Sequence, residues 1–110
     1  MATWESLVAF ATTLPETEAS PWYGTPAVKV RGKGFIRLRN EGDVVVMCPL
    51  EEKVALLASG DTAFHTTSHY DGYGSILVIL DAVDETQLRE LVTEAWRLKA
   101  PATLRKAFAS

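Results

Sequence analysis

Two alternating segments around residue 32 constrain the fold more than any other feature of the chain. Ala27 to Arg31 and Phe35 to Arg39 both carry apolar residues at alternate positions, which is the period of a strand with one buried face. Gly32-Lys33-Gly34 lies between them and supplies glycines for the positive φ of a tight hairpin. A turn signal at residues 40–43 and the strand-like run Val44 to Cys48 follow. These features predict a three-stranded antiparallel meander.

Three helices are predicted around this meander from apolar residues that recur three and four positions apart. The predicted helices cover residues 3–14, 49–60 and 84–100. In the second of them we expect Val54, Leu57 and Ala58 to form the apolar face. The third begins with a capping-box pattern at Asp84 and Gln87, which marks a helix start.

The remaining segments complete the predicted order of elements. Ser75 to Leu80 predicts a buried strand, and a weaker strand is expected within Phe64 to Thr67. Glu16 to Pro26 is expected to be a connection, and Ala102 to Phe108 a short basic turn or helix. Because the strands are grouped in hairpins, the fold class is α+β, in the order helix, three-stranded antiparallel meander, helix, two strands, helix.

The size and composition of the chain predict one domain over residues 1–110. A chain of 110 residues buries one ordinary core. It has no apolar run near the ~20 residues that cross a bilayer and no secretory signal, so we expect a cytoplasmic protein with no membrane partner. Cys48 is the only cysteine. An intrachain disulfide is therefore excluded, and a small buried side chain is expected there.

A group of basic residues in the predicted hairpin is the first candidate site. Its members are Lys29, Arg31, Lys33, Arg37 and Arg39. Because side chains alternate along a strand, four of these residues are expected on one face of the hairpin and Lys33 in its turn. Together they form a candidate surface that contacts the phosphates of DNA. The formal net charge of the chain is −3, so any such binding is expected to be weak. The alternative is a solvated hairpin face whose arginines pair with nearby acids such as Glu41.

A group of aromatic and histidine residues is the second candidate site. Its members are Trp22, Tyr23, His69, Tyr70 and Tyr73. They are predicted to line a pocket for a small molecule or peptide, or else to close the ends of the core and set a polar turn. His65 and His69 are four residues apart, but a helix is not expected there, and a third metal ligand would have to be Asp71, Cys48 or a residue distant in sequence. No nucleophile elbow or phosphate loop is present, so we expect no metal, no cofactor and no enzymatic activity.

Three motifs resemble the MmcQ/YjbR family of small bacterial proteins. They are "PWYGTPAVKVRGKGFIRL", "HYDGYGSILVIL" and "LRELVTEAWRLKAP". The resemblance implies an α+β fold similar to type III secretion chaperones, and a DNA-binding role through a likeness to double-wing domains. It implies no enzymatic activity, and it leaves open a monomer or dimer with a protein partner. The matching residues are Pro26, Lys29, Gly32, Lys33 and Phe35 in the hairpin, and His69, Tyr70 and Tyr73 in the second motif.

Overall fold

The computed structural model describes residues 2–40 and 42–109. Within them the chain forms four helices and six strands, and the predicted α+β class is confirmed. The elements in chain order are α1 (Trp4–Ala11), β1 (Thr17–Ala19), β2 (Ala27–Val30), β3 (Lys33–Asn40), β4 (Asp43–Met47), α2 (Leu50–Ala58), β5 (Phe64–His65), β6 (Ser75–Ile79), α3 (Glu85–Lys99) and α4 (Ala102–Ala109). None of the described helices is long and apolar enough to cross a membrane.

All six strands form one antiparallel sheet in the order β1-β2-β3-β4-β6-β5. The predicted three-stranded meander was too short, because β1 adds a fourth strand at its edge. Thr17 pairs with Val30 and Ala19 with Val28, within the segment that we expected to be a connection. The three residues of β1 lie between Pro15 and Pro21 and are too few to show the alternation that identifies a strand.

The hairpin between β2 and β3 turns one residue earlier than predicted. Val30 pairs with Lys33, so Arg31 and Gly32 form a two-residue turn. Their φ angles are 47° and 82°, as in the tight turns that suit the twist of a hairpin. Lys33 and Gly34 belong to β3 rather than to the turn. Gly34 therefore has a different role, described below.

The core lies between α1 and α3 and one face of the sheet. Strand residues that contribute to it include Val28, Val30, Ile36, Val44, Val46, Ile76 and Val78, all fully buried. Trp96 of α3 is also fully buried, and its Nε1 donates a hydrogen bond to the Pro15 carbonyl at 3.0 Å. The segment expected to be a turn or helix forms α4, whose Leu104 is buried and whose Phe108 ring lies 4.8 Å from Trp96.

The predicted apolar face of α2 was wrong. Val54 is 64% exposed and Ala58 is also exposed, whereas Leu57 is half-buried against the core. Lys53 is the buried residue of this helix, with 3% of its surface exposed. A lysine is buried only when its ammonium group finds partners, because a desolvated charge is costly. Those partners lie in the segment before β6.

Candidate functional site

The second face of the sheet, opposite the core, carries a row of side chains in register across five strands. The row is Ala27, Arg37, Val45, Leu77 and His65, in the order in which the strands pair. Ala27, Val45 and Leu77 are buried although they do not face the helices. Two loops cover parts of this face and surround Arg37.

The first of these is a tight turn at residues 22–25, just before β2. Trp22 and Thr25 exchange backbone hydrogen bonds of 2.9 and 3.2 Å, and the two residues between them, Tyr23 and Gly24, have φ angles of 55° and 74°. This is the geometry of a type I′ turn, in which glycine and asparagine are preferred at the central positions. The turn holds Tyr23 with 81% of its surface exposed.

Trp22 fixes this turn against the sheet. Its ring lies on Gly34, where an added Cβ would come within 2.3 Å of Trp22 Cε3. The Trp22 and Tyr23 rings stack with centroids 5.5 Å apart. Gly34 is therefore a glycine because Trp22 approaches the backbone closely, and not because of a positive φ.

The second covering segment is the loop at residues 66–74. Its turn is closed by hydrogen bonds from the backbone amides of Tyr70 and Asp71 to the Thr67 carbonyl, both 2.9 Å. The buried Lys53 Nζ donates to the carbonyls of Tyr70 and Tyr73. Its ammonium group thus finds partners and ties the loop to α2.

Aromatic side chains crowd the inner side of this loop. The His69 ring contacts Tyr70 edge-on at 5.0 Å and lies 6.4 Å from the Tyr73 ring. Tyr73 is 62% exposed. The loop therefore presents two phenol rings and an imidazole toward the second face of the sheet.

Arg37 connects the two covering segments. Its Nη2 donates to the Tyr70 hydroxyl, and its Nη1 lies 3.3 Å from Thr25 Oγ1 as a donor. The guanidinium carbon lies 5.8 Å from the centroid of the Tyr23 ring, within the range of a cation–π contact. Both regions predicted from the sequence to be candidate sites thus meet at one arginine.

A cavity of about 570 Å³ lies at this junction, and we call it the Arg37 pocket. Its lining residues are Trp22, Tyr23, Arg37, Val45, Met47, His69, Tyr70, Tyr73, Gly74 and Ser75. All five residues of the predicted aromatic site are among them. Among the described residues, the lining contains an arginine and a histidine but no aspartate or glutamate. The charge of Arg37 is therefore not offset by an acid of the described lining.

Two of the five basic residues predicted to contact DNA are engaged by carboxylates. Arg31 makes two hydrogen bonds of 2.8 Å to Glu16, which hold the pKa of that carboxyl below its usual value. Arg39 Nη1 lies 2.6 Å from Asp43 Oδ2, and His65 Nε2 lies 3.1 Å from the other oxygen of the same carboxylate. The pairing acid named from the sequence, Glu41, is outside the described residues.

The other basic residues are placed differently. Lys29 and Lys33 form no ion pair with a described residue, and Arg37 lines the pocket. The five residues therefore do not form one uniform cationic surface. Lys33 is exposed and Lys29 is half-buried, and both lie close to the turn at Arg31 and Gly32.

Sequence reasoning missed several residues of the Arg37 pocket. The sequence predicts a strand that contains Val45 and Met47, but we did not predict which face of the sheet they occupy. Their alternation with Val44 and Val46 places them on the face opposite the core. Lys53 was missed as the support of the loop. The available signal was its spacing of three and four residues from Leu56 and Leu57, which puts a lysine on the buried side of α2.

Cys48 lies close to this region but is buried, with 4% of its surface exposed. Burial, with a contribution from the Glu52 carboxylate, raises its pKa to about 11. A thiol with such a pKa is a poor nucleophile, because the thiolate is the reactive form.

Among the described residues no three His, Cys, Asp or Glu side chains are grouped closely enough to hold a metal ion.

Comparisons with known proteins agree with the motifs in the sequence. A family model described as YjbR matches residues 12–98. An uncharacterised protein of Mycobacterium bovis, Mb2600, is 35% identical over 124 aligned positions, which cover 98% of this chain and 96% of that protein. The uncharacterised protein Rv2570 of Mycobacterium tuberculosis has the same identity and coverage.

Proposed function

The chain belongs to the YjbR family, and we propose that it is a non-enzymatic module that binds a small molecule in the Arg37 pocket. The observation that carries this proposal is the position of Arg37, which lines a cavity and contacts both aromatic segments around it. A cavity with apolar and aromatic walls and a few polar groups is the usual form of a small-molecule site.

The exposure of the aromatic rings at the pocket supports this proposal. Tyr23 and Tyr73 are 81% and 62% exposed, and both line the cavity. Exposed large rings around one concavity are unfavourable for solubility unless they meet a partner. In addition, Tyr23 is a non-glycine residue with a φ of 55°, a conformation that stores strain and is concentrated at functional positions.

The pairing of the polar groups supports a role in binding rather than in catalysis. His69 contacts the rings of Tyr70 and Tyr73. A histidine and a serine can act as general base and nucleophile, but His69 forms no hydrogen bond with the hydroxyl of Ser75. The thiol of Cys48 is held in its neutral form by burial. A nucleophile needs an adjacent base or a lowered pKa.

Protein-observed NMR with a library of small aromatic compounds tests this function. Bound compounds are expected to shift the backbone amides of Tyr23, Gly74 and Ser75. Tyr23→Ala should abolish these shifts without unfolding, because the side chain is mostly exposed. The matched control is Val54→Ala on α2, which removes another exposed apolar side chain and should leave binding intact. Shifts confined to other surfaces, or shifts unchanged in Tyr23→Ala, would contradict the proposal.

Weak DNA binding is the second candidate function. Lys29 and Lys33 support it, because they carry no ion pair with a described residue and lie near the hairpin turn. Anisotropy of a labelled random-sequence duplex, measured at low and near-physiological salt, tests it. Replacing both lysines by glutamine should reduce the salt dependence if they contact phosphates. Equal titrations of the wild type and this variant would exclude the contact.

A further inference from the structure

We infer that the ligand of the Arg37 pocket is a flat aromatic ring that carries an anionic group, a carboxylate or a phosphate. This inference rests on the proposed function and adds the chemical class of the ligand. It depends on the charge of the pocket, on the unused donors of Arg37 and on the apolar surfaces around them.

Arg37 differs from the other two arginines of the hairpin in having no acidic partner among the described residues. Arg31 pairs with Glu16 and Arg39 with Asp43. The described hydrogen bonds of Arg37 go to two neutral hydroxyls, those of Tyr70 and Thr25, and its other described contact is the neutral Tyr23 ring. A partly buried guanidinium group without a counter-ion is unfavourable, because desolvation favours a paired charge. An anionic ligand would supply the missing charge.

Two other cavities of the protein contain an arginine together with acids. The cavity between α2 and α3 has Arg89 and Arg97 in its lining, together with Glu52, Glu90 and Glu94. The cavity between α1 and α3 combines Arg89 with Glu85. The Arg37 pocket has no such acid in the part of its lining that the structure describes. Its positive charge is therefore available to a ligand, whereas theirs is offset within the protein.

The donors of Arg37 suit a carboxylate or a phosphate. A guanidinium group has five N–H donors in a planar fork. In Arg37, Nη1 donates one hydrogen bond to Thr25 and Nη2 donates one to Tyr70. The remaining donors include Nε–H, and a fork of this kind binds two oxygens of an anion at once. The Ser75 hydroxyl lines the same cavity and makes no hydrogen bond to a described residue. It offers a further donor to the anionic group.

The other surfaces of the pocket suit a flat ring. Val45 and Met47 form an apolar floor on the sheet, and the Trp22–Tyr23 pair and the Tyr70–Tyr73 loop stand on either side. Rings of this kind stack favourably on a planar ligand. The volume of about 570 Å³ lies within the ordinary range for a small-molecule site. A ring system of one or two fused rings fits such a space beside Arg37.

The test compares four probes by NMR titration and calorimetry: 2-naphthoate, 2-naphthyl phosphate, the neutral 2-naphthamide, and cyclohexanecarboxylate, which has charge but no flat ring. We expect one or both naphthyl anions to bind at the Arg37 pocket, at least about tenfold more tightly than the amide and than the cyclohexane acid. The comparison of carboxylate with phosphate identifies which anion is preferred.

Variants separate this inference from the proposed function. Arg37→Gln should remove the preference for naphthoate over naphthamide, and Arg37→Lys should restore part of it. Arg89→Gln, an exposed arginine on α3, is the matched control and should leave the preference unchanged. Equal binding of amide and anion at the pocket would overturn the anionic class and leave the pocket function standing. Equal binding of the cyclohexane acid would overturn the flat ring, and no binding of any probe at millimolar concentration would overturn both proposals.

Discussion

Arg37 Nη2 donates a hydrogen bond to the hydroxyl of Tyr70, 33 residues later in the chain, and so joins the hairpin to the loop before β6. A hydrogen bond to a charged donor contributes about 1.5–3 kcal/mol to stability where solvent is limited. We predict that Arg37→Met and Tyr70→Phe are each destabilising and that their effects are not additive. Urea unfolding of the two single variants and the double variant measures the coupling free energy. Additive effects would show that the two side chains do not interact in solution.

Tyr23 occupies a turn position that asparagine would adopt with less strain. Its φ of 55° belongs to the left-handed region, where asparagine is favoured over other non-glycine residues. We predict that Tyr23→Asn raises the free energy of unfolding by up to about 1 kcal/mol and at the same time abolishes binding of the naphthyl anions. Thermal melts and the NMR titration report the two effects. A destabilised variant that still binds would contradict both parts.

The order of helices and strands was largely predictable from the sequence, because it depends on local periodicity. The stripe in α3 and the alternation of β2 and β3 were sufficient for those elements. β1 was missed because a strand of three residues is defined by its partner β2 rather than by its own pattern. Its residues Thr17 and Ala19 gain backbone pairing only in the folded sheet.

The residues of the candidate site were easier to predict than their arrangement. The sequence predicts that Trp22 and Tyr70 are candidate site residues, but no local pattern shows that Arg37 lies between them. That relation depends on the register of the sheet, which pairs Ala27 with Arg37 and Arg37 with Val45. Basic residues of one hairpin also look equivalent in sequence. Only the positions of Glu16 and Asp43 in the fold distinguish the paired arginines from Arg37.

Gly34 is predicted to be intolerant of any side chain because of Trp22. A Cβ at this position would lie 2.3 Å from Trp22 Cε3, far inside van der Waals contact. Gly34→Ala should therefore displace the indole and lower the free energy of unfolding by about 1–3 kcal/mol. Chemical denaturation measures the loss.

The same substitution in a Trp22→Ala background is the control for Gly34. Without the indole the three atoms nearest to the added methyl group are removed, and the cost of Gly34→Ala should largely disappear. An equal loss in both backgrounds would show that Gly34 is needed for its backbone and not for the packing of Trp22.

Lys53 is predicted to hold the loop at residues 66–74 in place. Lys53 has 3% of its surface exposed, and its ammonium group donates to the carbonyls of Tyr70 and Tyr73. Lys53→Met keeps the aliphatic stem but leaves these carbonyls without their donor, which costs about 1–3 kcal/mol. Hydrogen exchange should become faster in the loop than in the rest of the protein. Lys33→Met, at an exposed position, is the control and should change neither stability nor exchange in the loop.

Cys48 is predicted to give the protein a pH-dependent stability in the alkaline range. Burial raises its pKa from 9.0 to about 11, so between these values the folded state retains a proton that the unfolded chain releases. The free energy of unfolding therefore falls as the pH rises from 9 to about 11, by up to about 1.4 kcal/mol per pH unit from this group. Cys48→Ala removes this contribution and leaves every other side chain unchanged. Urea unfolding of both proteins at pH 8 and pH 10.5 isolates the difference, and a constant gap between them would show that the thiol ionises as readily in the folded state as in the unfolded chain.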